Sequence, residues 1–422
     1  MNPRFSQFAG RYIGPSGTRL LMDDLGEVLA GEAHYCNLGG GNPARIPAVQ
    51  ALFREQLHTA LRDGSFDRLS GSYDGPRGNK AFLSAVRDLL AREYGWSLSL
   101  DNLAMTAGSQ SSFFILFNLL TGACLDGRKR HLDLPLTPEY IGYADVPLDA
   151  DALRSRRPSI ERSDRHRFKY RIDFDAFTVG SDSGAVCVSR PTNPTGNVLD
   201  AAEMDRLVAL TAAAGVPLIV DNAYGLPFPG IVFDEARPVY ADHVIHCMSL
   251  SKLGLPGLRT GIVVADAEII DAIQSFNAIL SLATGSLGAA LATPVIASGD
   301  VLRLAREVIR PHYRQRCDAA LDCCDRHLAG LDYLLHQPQG AIFLWLWFPG
   351  LPITAEELYR RLKRRHVLVI PGHYFFPGLD ADDWAHKHEC IRISYAQAPQ
   401  DVEEGIRIIG EEVRQAFAAD GG

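Results

Sequence analysis

The sequence predicts an α/β fold: a large domain with a mainly parallel sheet covered by helices, plus a smaller α+β domain formed by the N- and C-terminal parts. Three features predict it. Apolar runs of strand length, at 102–106, 130–134, 184–189, 216–224 and 244–248, alternate with helical stretches, the pattern of strands buried on both faces. Polar residues with chemistry to offer gather at the carboxyl ends of these runs, where ligands of such sheets sit. After about residue 305 the grammar changes: a long helical stretch near 301–329 leads to new apolar runs, among them 341–346. The expected division is therefore 1–45 as the N-terminal segment of the small domain, 46–304 as the large domain and 305–422 as the C-terminal small domain.

Bulk properties narrow the function. A chain of 422 residues with 47% hydrophobic content supports a large core and excludes disorder. Net charge is -8, and no basic cluster interleaves with aromatics, so no nucleic-acid partner is expected. No apolar run approaches the ~20 residues of a membrane span. The start, Met1-Asn2-Pro3-Arg4-Phe5, has no signal-peptide core, and the eight cysteines are scattered. Cytoplasmic location, free thiols and no metal are the expectations, because the close group Cys317, Cys323 and Cys324 lacks companion ligands at metal spacing.

Taken in order, the elements carry these residues. Leu20 to Leu29 has the spacing of an amphipathic helix, and the turn Leu38-Gly39-Gly40-Gly41-Asn42-Pro43 lets backbone pass close to a ligand. Leu69 to Gly78, with Tyr73, reads as a loop, after which Asn79 opens a helix. The strand ending at Thr106 runs into Ala107-Gly108-Ser109-Gln110 and an apolar helix, whose free N–H groups suit an anion. The run at 130–134 leads to Tyr140, and a charged section at about 150–175 reads as a surface excursion. Further strands end at Asn193 and at Asp221, with Tyr224 just beyond; a helix near 201–214 lies between them. Arg392 alternates with Ile391 and Ile393 on a late strand.

The chemistry centres on Cys247 to Gly261. Here a strand is followed by Ser249, Ser251, Lys252, a Gly/Pro turn and Arg259. A lysine among small buried residues has a lowered pKa and can form a Schiff base with an aldehyde. Arg259 and the two hydroxyls suit a phosphate. Aldehyde and phosphate on one molecule describe pyridoxal 5'-phosphate. Asp221, facing a pyridine nitrogen, would keep it protonated; Tyr224 and Asn193 would hydrogen-bond the ring oxygen, and Tyr140 would stack on its face.

The motifs Asn193-Pro194-Thr195-Gly196, Asp221-x-x-Tyr224, Ser249-x-Ser251-Lys252 with Arg259, and Arg392 resemble, in order and spacing, the fold-type I, class I/II aminotransferases over nearly the whole chain. The resemblance implies a homodimer with sites at the subunit interface, in which Tyr73 reaches the neighbour's phosphate. It implies that Gly108, Ser109 and Gln110 join Ser249, Ser251 and Arg259 on the phosphate, and that Arg392 grips the substrate carboxylate in a pocket lined by Gly41 and Asn193. Lys252 would carry the cofactor and move the proton.

Family members that use aspartate carry a further arginine after the phosphate arginine, whereas this sequence has no Lys or Arg between Arg259 and Arg303. A neutral substrate side chain is implied, with Phe5, Phe8, Tyr12, Ile13 and Tyr35 as candidate pocket walls. The stretches Ser16-Gly17-x-x-x-Leu21-Met22-Asp23-Asp24-Leu25, Gly39 to Pro43 and Pro371 to Gly378 are similar to the branch that exchanges L-valine and pyruvate for 3-methyl-2-oxobutanoate and L-alanine. The lysine-to-arginine spacing is instead similar to the aminoadipate/kynurenine-type branch, so other donors and a β-lyase stay open. A regulator of this fold would need a DNA-binding domain ahead of a glycine turn that comes early here.

Overall fold

The computed structural model describes residues 4–14, 16–31, 33–164, 166–420. Met1, Asn2 and Pro3 of the start lie outside the described residues. In chain order the strands are β1 (Cys36–Asn37), β2 (Leu103–Thr106), β3 (Gly122–Ala123), β4 (Lys129–Leu134), β5 (Leu153–Ser155) and β6 (Ser159–Ser163). Next come β7 (Arg167–Arg171), β8 (Ser183–Ser189), β9 (Leu218–Asp221), β10 (Val244–Ser249) and β11 (Gly261–Val264). The last are β12 (Leu334–His336), β13 (Phe343–Trp347), β14 (Val367–Leu368), β15 (Ile370–Pro371) and β16 (Cys390–Ser394).

The large sheet has the order β2-β11-β10-β9-β8-β4-β3, with β5 on β4. Its centre is parallel, β10 to β9 to β8 to β4, as the crossover pattern predicts; β11 runs antiparallel to both its neighbours. Alternation explains why both faces are apolar. Ala185, Cys187 and Ile219 pack with Phe113, Leu116, Ile270 and Ile273 of the helices Ser109–Leu120 and Ala267–Ser281. Val186, Val188, Leu218 and Val220 pack with Met204 and Leu207 of the helix Ala201–Ala214. That helix has the range expected, because Asp200 and Glu203 form a capping box and Gly215 closes it at φ 65°. With both faces covered, the polar residues at the strand ends are the sheet's remaining open surface.

The second sheet has the order β15-β16-β13-β12-β7-β6. The section at about 150–175 is therefore not a surface excursion. Its β7 pairs in parallel with β12 and buries Phe168, Lys169 and Tyr170, so a segment placed before β8 completes the sheet of the C-terminal part. β1 pairs with β14, which brings the N-terminal segment to the same side. The long helical stretch is interrupted: between Asp300–Arg303 and Arg310–His327 the chain makes a π-helical turn, Leu304–Ile309. Pro311 has no N–H for a carbonyl one turn back, and the wider turn absorbs that loss.

Candidate active site

Five strand ends converge on one crevice. Lys252 follows β10 by three residues, and its Nζ donates to the Gly41 carbonyl at 2.5 Å and stands 5.2 Å from the centre of the Tyr224 ring. Burial, then the positive charges of Arg392 and Arg259, lower its pKa to about 8, against the pull of Asp221. An amine so placed has a lone pair available near neutrality, which nucleophilic and proton-transfer chemistry require.

Asp221 ends β9 with no ion-pair partner among the described residues. Its Oδ1 accepts from the Ala223 N–H at 2.8 Å and its Oδ2 from the Tyr143 hydroxyl at 2.9 Å. Burial raises its pKa to about 6 despite these donors. A buried carboxylate held by two donors, with Lys252 near enough to act on it but no ion pair among the described residues, is suited to a cationic ring nitrogen. Tyr143 is a residue that sequence reasoning missed; its position three residues after Tyr140 was the available signal.

The opposite wall is built on β8 and β16. Arg392 is 1% exposed, donates through Nη1 to Asn193 Oδ1 at 2.8 Å and through Nη2 to the Gly39 carbonyl at 2.5 Å, and lies 4.0 Å from the Phe343 ring centre. Its Nε has no hydrogen-bond partner. Burial lowers its pKa only to about 10, so the guanidinium stays charged at neutral pH. A buried cation with one open donor and no carboxylate partner among the described residues is a receptor for a carboxylate. The strand arginine therefore points inward, at the end of the Gly39 to Gly41 turn.

A third cluster suits a phosphate. Gly108 precedes the helix Ser109–Leu120 at φ 90°, and a Cβ there would lie 2.2 Å from Arg259 Nη2, so only glycine lets the arginine cross this turn. Ser249 Oγ donates to Ser251 Oγ at 2.9 Å, and Arg259 Nη1 to Ser251 Oγ at 3.3 Å; Arg259 has no ion pair among the described residues. Gln110 Oε1 is buried without a partner. Two hydroxyls, a guanidinium with no ion pair among the described residues and a helix start make an anion cradle. Tyr140, its hydroxyl pushed up to about 12 by burial, sets its ring 5.4 Å from Tyr143 beside the crevice, and Tyr224 is 5% exposed. The donor set thus fits pyridoxal 5'-phosphate at its aldehyde, ring nitrogen and phosphate.

Two expectations fall elsewhere. Tyr73 is 82% exposed and lies outside the hydrophobic clusters of the described residues. Phe5, Phe8, Tyr12 and Ile13 are exposed and the Tyr35 ring lies 4.7 Å from that of His366 at a 47° tilt, so among the described residues of one chain they wall no pocket. A groove of about 960 Å³ on the flank, lined by Arg190, Arg237, Arg310 and Tyr240 among others, shares no residue with the crevice.

Next to Asp221, Glu139 is fully buried, accepts from the Ser189 N–H at 2.9 Å and bonds the Ser189 hydroxyl. Burial is the main cause that raises its pKa to about 8. Between pH 4.5 and about 8 the folded chain holds a proton that the unfolded chain has released, so this group makes stability fall as pH rises through that window. Glu139→Gln, which copies the neutral acid, is expected to flatten that decline in a denaturation series on the cofactor-free protein from pH 5 to 8. An unchanged slope would show Glu139 ionised throughout.

Comparison with known proteins gives the same direction. Residues 155–409 match the family described as aminotransferase class I and II. The valine--pyruvate aminotransferase of Escherichia coli (strain K12) is 47% identical over 98% of this chain and 99% of its own length. Among solved structures, valine-pyruvate aminotransferase AvtA from Salmonella typhimurium LT2 has a TM-score of 0.87 at 47% identity, covering 95% of this chain and 99% of that one. A putative amino-acid aminotransferase from Psychrobacter arcticum 273-4 has a TM-score of 0.95 at 42% identity, covering 98% and 99%.

Proposed function

Because the chain belongs to the class I and II aminotransferases, which use pyridoxal 5'-phosphate, we propose that it moves an amino group from L-valine to pyruvate, giving 3-methyl-2-oxobutanoate and L-alanine. The observation that carries the reading is the pairing of a buried, carboxylate-free Arg392 with a low-pKa Lys252 across one crevice, in a chain 47% identical over nearly its full length to an enzyme of that name.

When bound, the cofactor supplies an aldehyde that takes up the amino group and a ring that spreads the electron pair left when Cα loses its proton. The residues do the rest. Ser109, Gln110, Ser249, Ser251 and Arg259 bind the phosphate, with Gly108 giving room for the arginine. Asp221, oriented by Tyr143, would keep the ring nitrogen protonated, and Asn193 and Tyr224 would hydrogen-bond the ring oxygen. Tyr140 would stack on the ring face. Arg392 binds the substrate α-carboxylate through its fork of donors, beside Gly41, and so aims Cα at Lys252. With the cofactor bound, Lys252 Nζ would take the Cα proton and give it back, acting as base and then acid in each half of the exchange.

The absence of any Lys or Arg between Arg259 and Arg303 favours a neutral side chain. A donor panel tests this. The account expects kcat/KM for L-valine to exceed that for L-aspartate by at least about tenfold, since an unpaired carboxylate in an uncharged pocket costs more than one methylene's 1–3 kcal/mol. Equal use of aspartate would remove the valine reading and keep the family.

A homodimer belongs to the same proposal. It is supported by Tyr73 at 82% exposure in the loop before the helix Lys80–Tyr94 and by exposed Ile279, Leu280 and Leu282, which a second copy would cover. The division near 45 and 304 is kept as a proposal with β6 and β7 assigned to the smaller unit. Cytoplasmic location is supported by eight free cysteines. No single helix among the described residues is long and apolar enough to cross a membrane.

A further inference from the structure

Away from the crevice, β1 runs beside the first turn of the helix Pro399–Asp420. Gly405 of that helix packs on Leu38 and Cys36, so strand and helix are in van der Waals contact. His34 and Cys36, two apart on extended chain, face the same side. There they meet Asp401: His34 Nε2 lies 2.8 Å from Asp401 Oδ1, and the imidazole nitrogen, thiol sulfur and carboxylate oxygen all lie within 4.8 Å of one another. These are three different donors from two chain segments that sequence spacing does not connect.

Burial differs among them in a useful way. The His34 side chain is 76% exposed and that of Asp401 23%, which leaves an entry path, while Cys36 is 7% exposed and its Sγ has no hydrogen-bond partner among the described residues. A buried thiol without a partner, a carboxylate and an imidazole are three of the four donors of a tetrahedral coordination sphere. Other charges nearby are Glu404, which is bonded to Arg407, and the helix start itself. Burial first, then Asp401 and Glu404, hold the Cys36 thiol above its ordinary value. A bound dication would reverse the sign of that local field and take the sulfur as thiolate, with release of a proton.

We propose that His34, Cys36 and Asp401 form a binding site for a borderline-soft divalent cation of the zinc class, with water completing a tetrahedral set. Nitrogen, sulfur and one oxygen select zinc over magnesium or calcium, which take oxygen ligands. Zn–N and Zn–O bonds are ~2.0 Å and Zn–S ~2.3 Å, so donors that lie within 4.8 Å of one another are on the scale of one coordination sphere. The cation would clamp β1 to the helix Pro399–Asp420. That matters for the crevice, because β1 continues into the turn whose Gly39 and Gly41 carbonyls hold Arg392 and Lys252.

The test uses the cofactor-loaded enzyme, stripped with chelator and then dialysed against buffered micromolar free zinc, with bound zinc counted by atomic emission. Wild type is expected to hold one zinc per chain and to melt at a higher temperature with zinc than without. Cys36→Ala, and separately the exposed His34→Ala, are expected to weaken zinc binding at least tenfold and to abolish the thermal shift, with zinc-free turnover kept as proof of folding. Wild type that holds no zinc at this concentration overturns the proposal. So does zinc binding that is unchanged in both variants, which would place the metal at the cofactor phosphate or on surface carboxylates.

Discussion

Lys252→Ala is expected to lose turnover by at least about 10⁴-fold, the upper range for removing a positioned proton-transfer group. The same side chain is assigned two tasks, holding the cofactor covalently and moving the proton at Cα, so no other residue in the crevice can replace it. Asp221 and Tyr224 stand nearby, but the first is engaged by Ala223 and Tyr143 and the second has a hydroxyl held far above neutrality by burial. Cofactor should still bind through the phosphate cradle. Borohydride treatment followed by peptide mass spectrometry would then find cofactor mass on Lys252 in the wild type and on no peptide of the variant. Turnover within tenfold of wild type, or cofactor mass on another lysine, would remove Lys252 from its role.

Asp221→Asn is the second large effect. An amide cannot hold a proton on the ring nitrogen as a carboxylate does, and each pKa unit lost there is about 1.4 kcal/mol. On the scale of losing one preorganised electrostatic partner, kcat should fall on the order of 10²–10³-fold. Removing a transition-state interaction rather than a binding one, the change should leave the KM for pyruvate within a few-fold. The ring nitrogen's own titration, followed by ¹⁵N-labelled cofactor, should move to lower pH. If kcat falls while that titration stays in place, Asp221 acts through local structure instead of charge.

Most of the crevice was legible because strand-end positions in a parallel sheet carry function and the lining of the sheet does not. Asn193, Asp221 and Ser249 follow runs whose alternating apolar residues fill both faces, so a polar residue there has no structural duty within the strand. Arg392 was harder: alternation shows only that it opposes Ile391 and Ile393, and the inward direction depends on Asn193 and Gly39, which lie far away in sequence. The pairing of β7 with β12 left no local trace either. A charged section with few helix formers has the composition of a surface loop, yet Phe168 and Tyr170 are 1% exposed because a distant strand covers them. Tyr143 escaped notice since a tyrosine in a short turn is ordinary until its hydroxyl is seen 2.9 Å from Asp221. For His34, Cys36 and Asp401 the reason is distance along the chain; a search for metal ligands by close spacing examines Cys317, Cys323 and Cys324 and passes them over.

The central claim is the exchange itself, and one labelled reaction tests it most directly. Purified holoenzyme is mixed with ¹⁵N-L-valine and unlabelled pyruvate, and alanine and 3-methyl-2-oxobutanoate are followed together by mass spectrometry. The account predicts ¹⁵N-alanine and the oxo acid in equal amounts, both dependent on pyruvate beyond the first turnover. Oxo acid or ammonia formed continuously without pyruvate, or no labelled alanine with both substrates present, would contradict it.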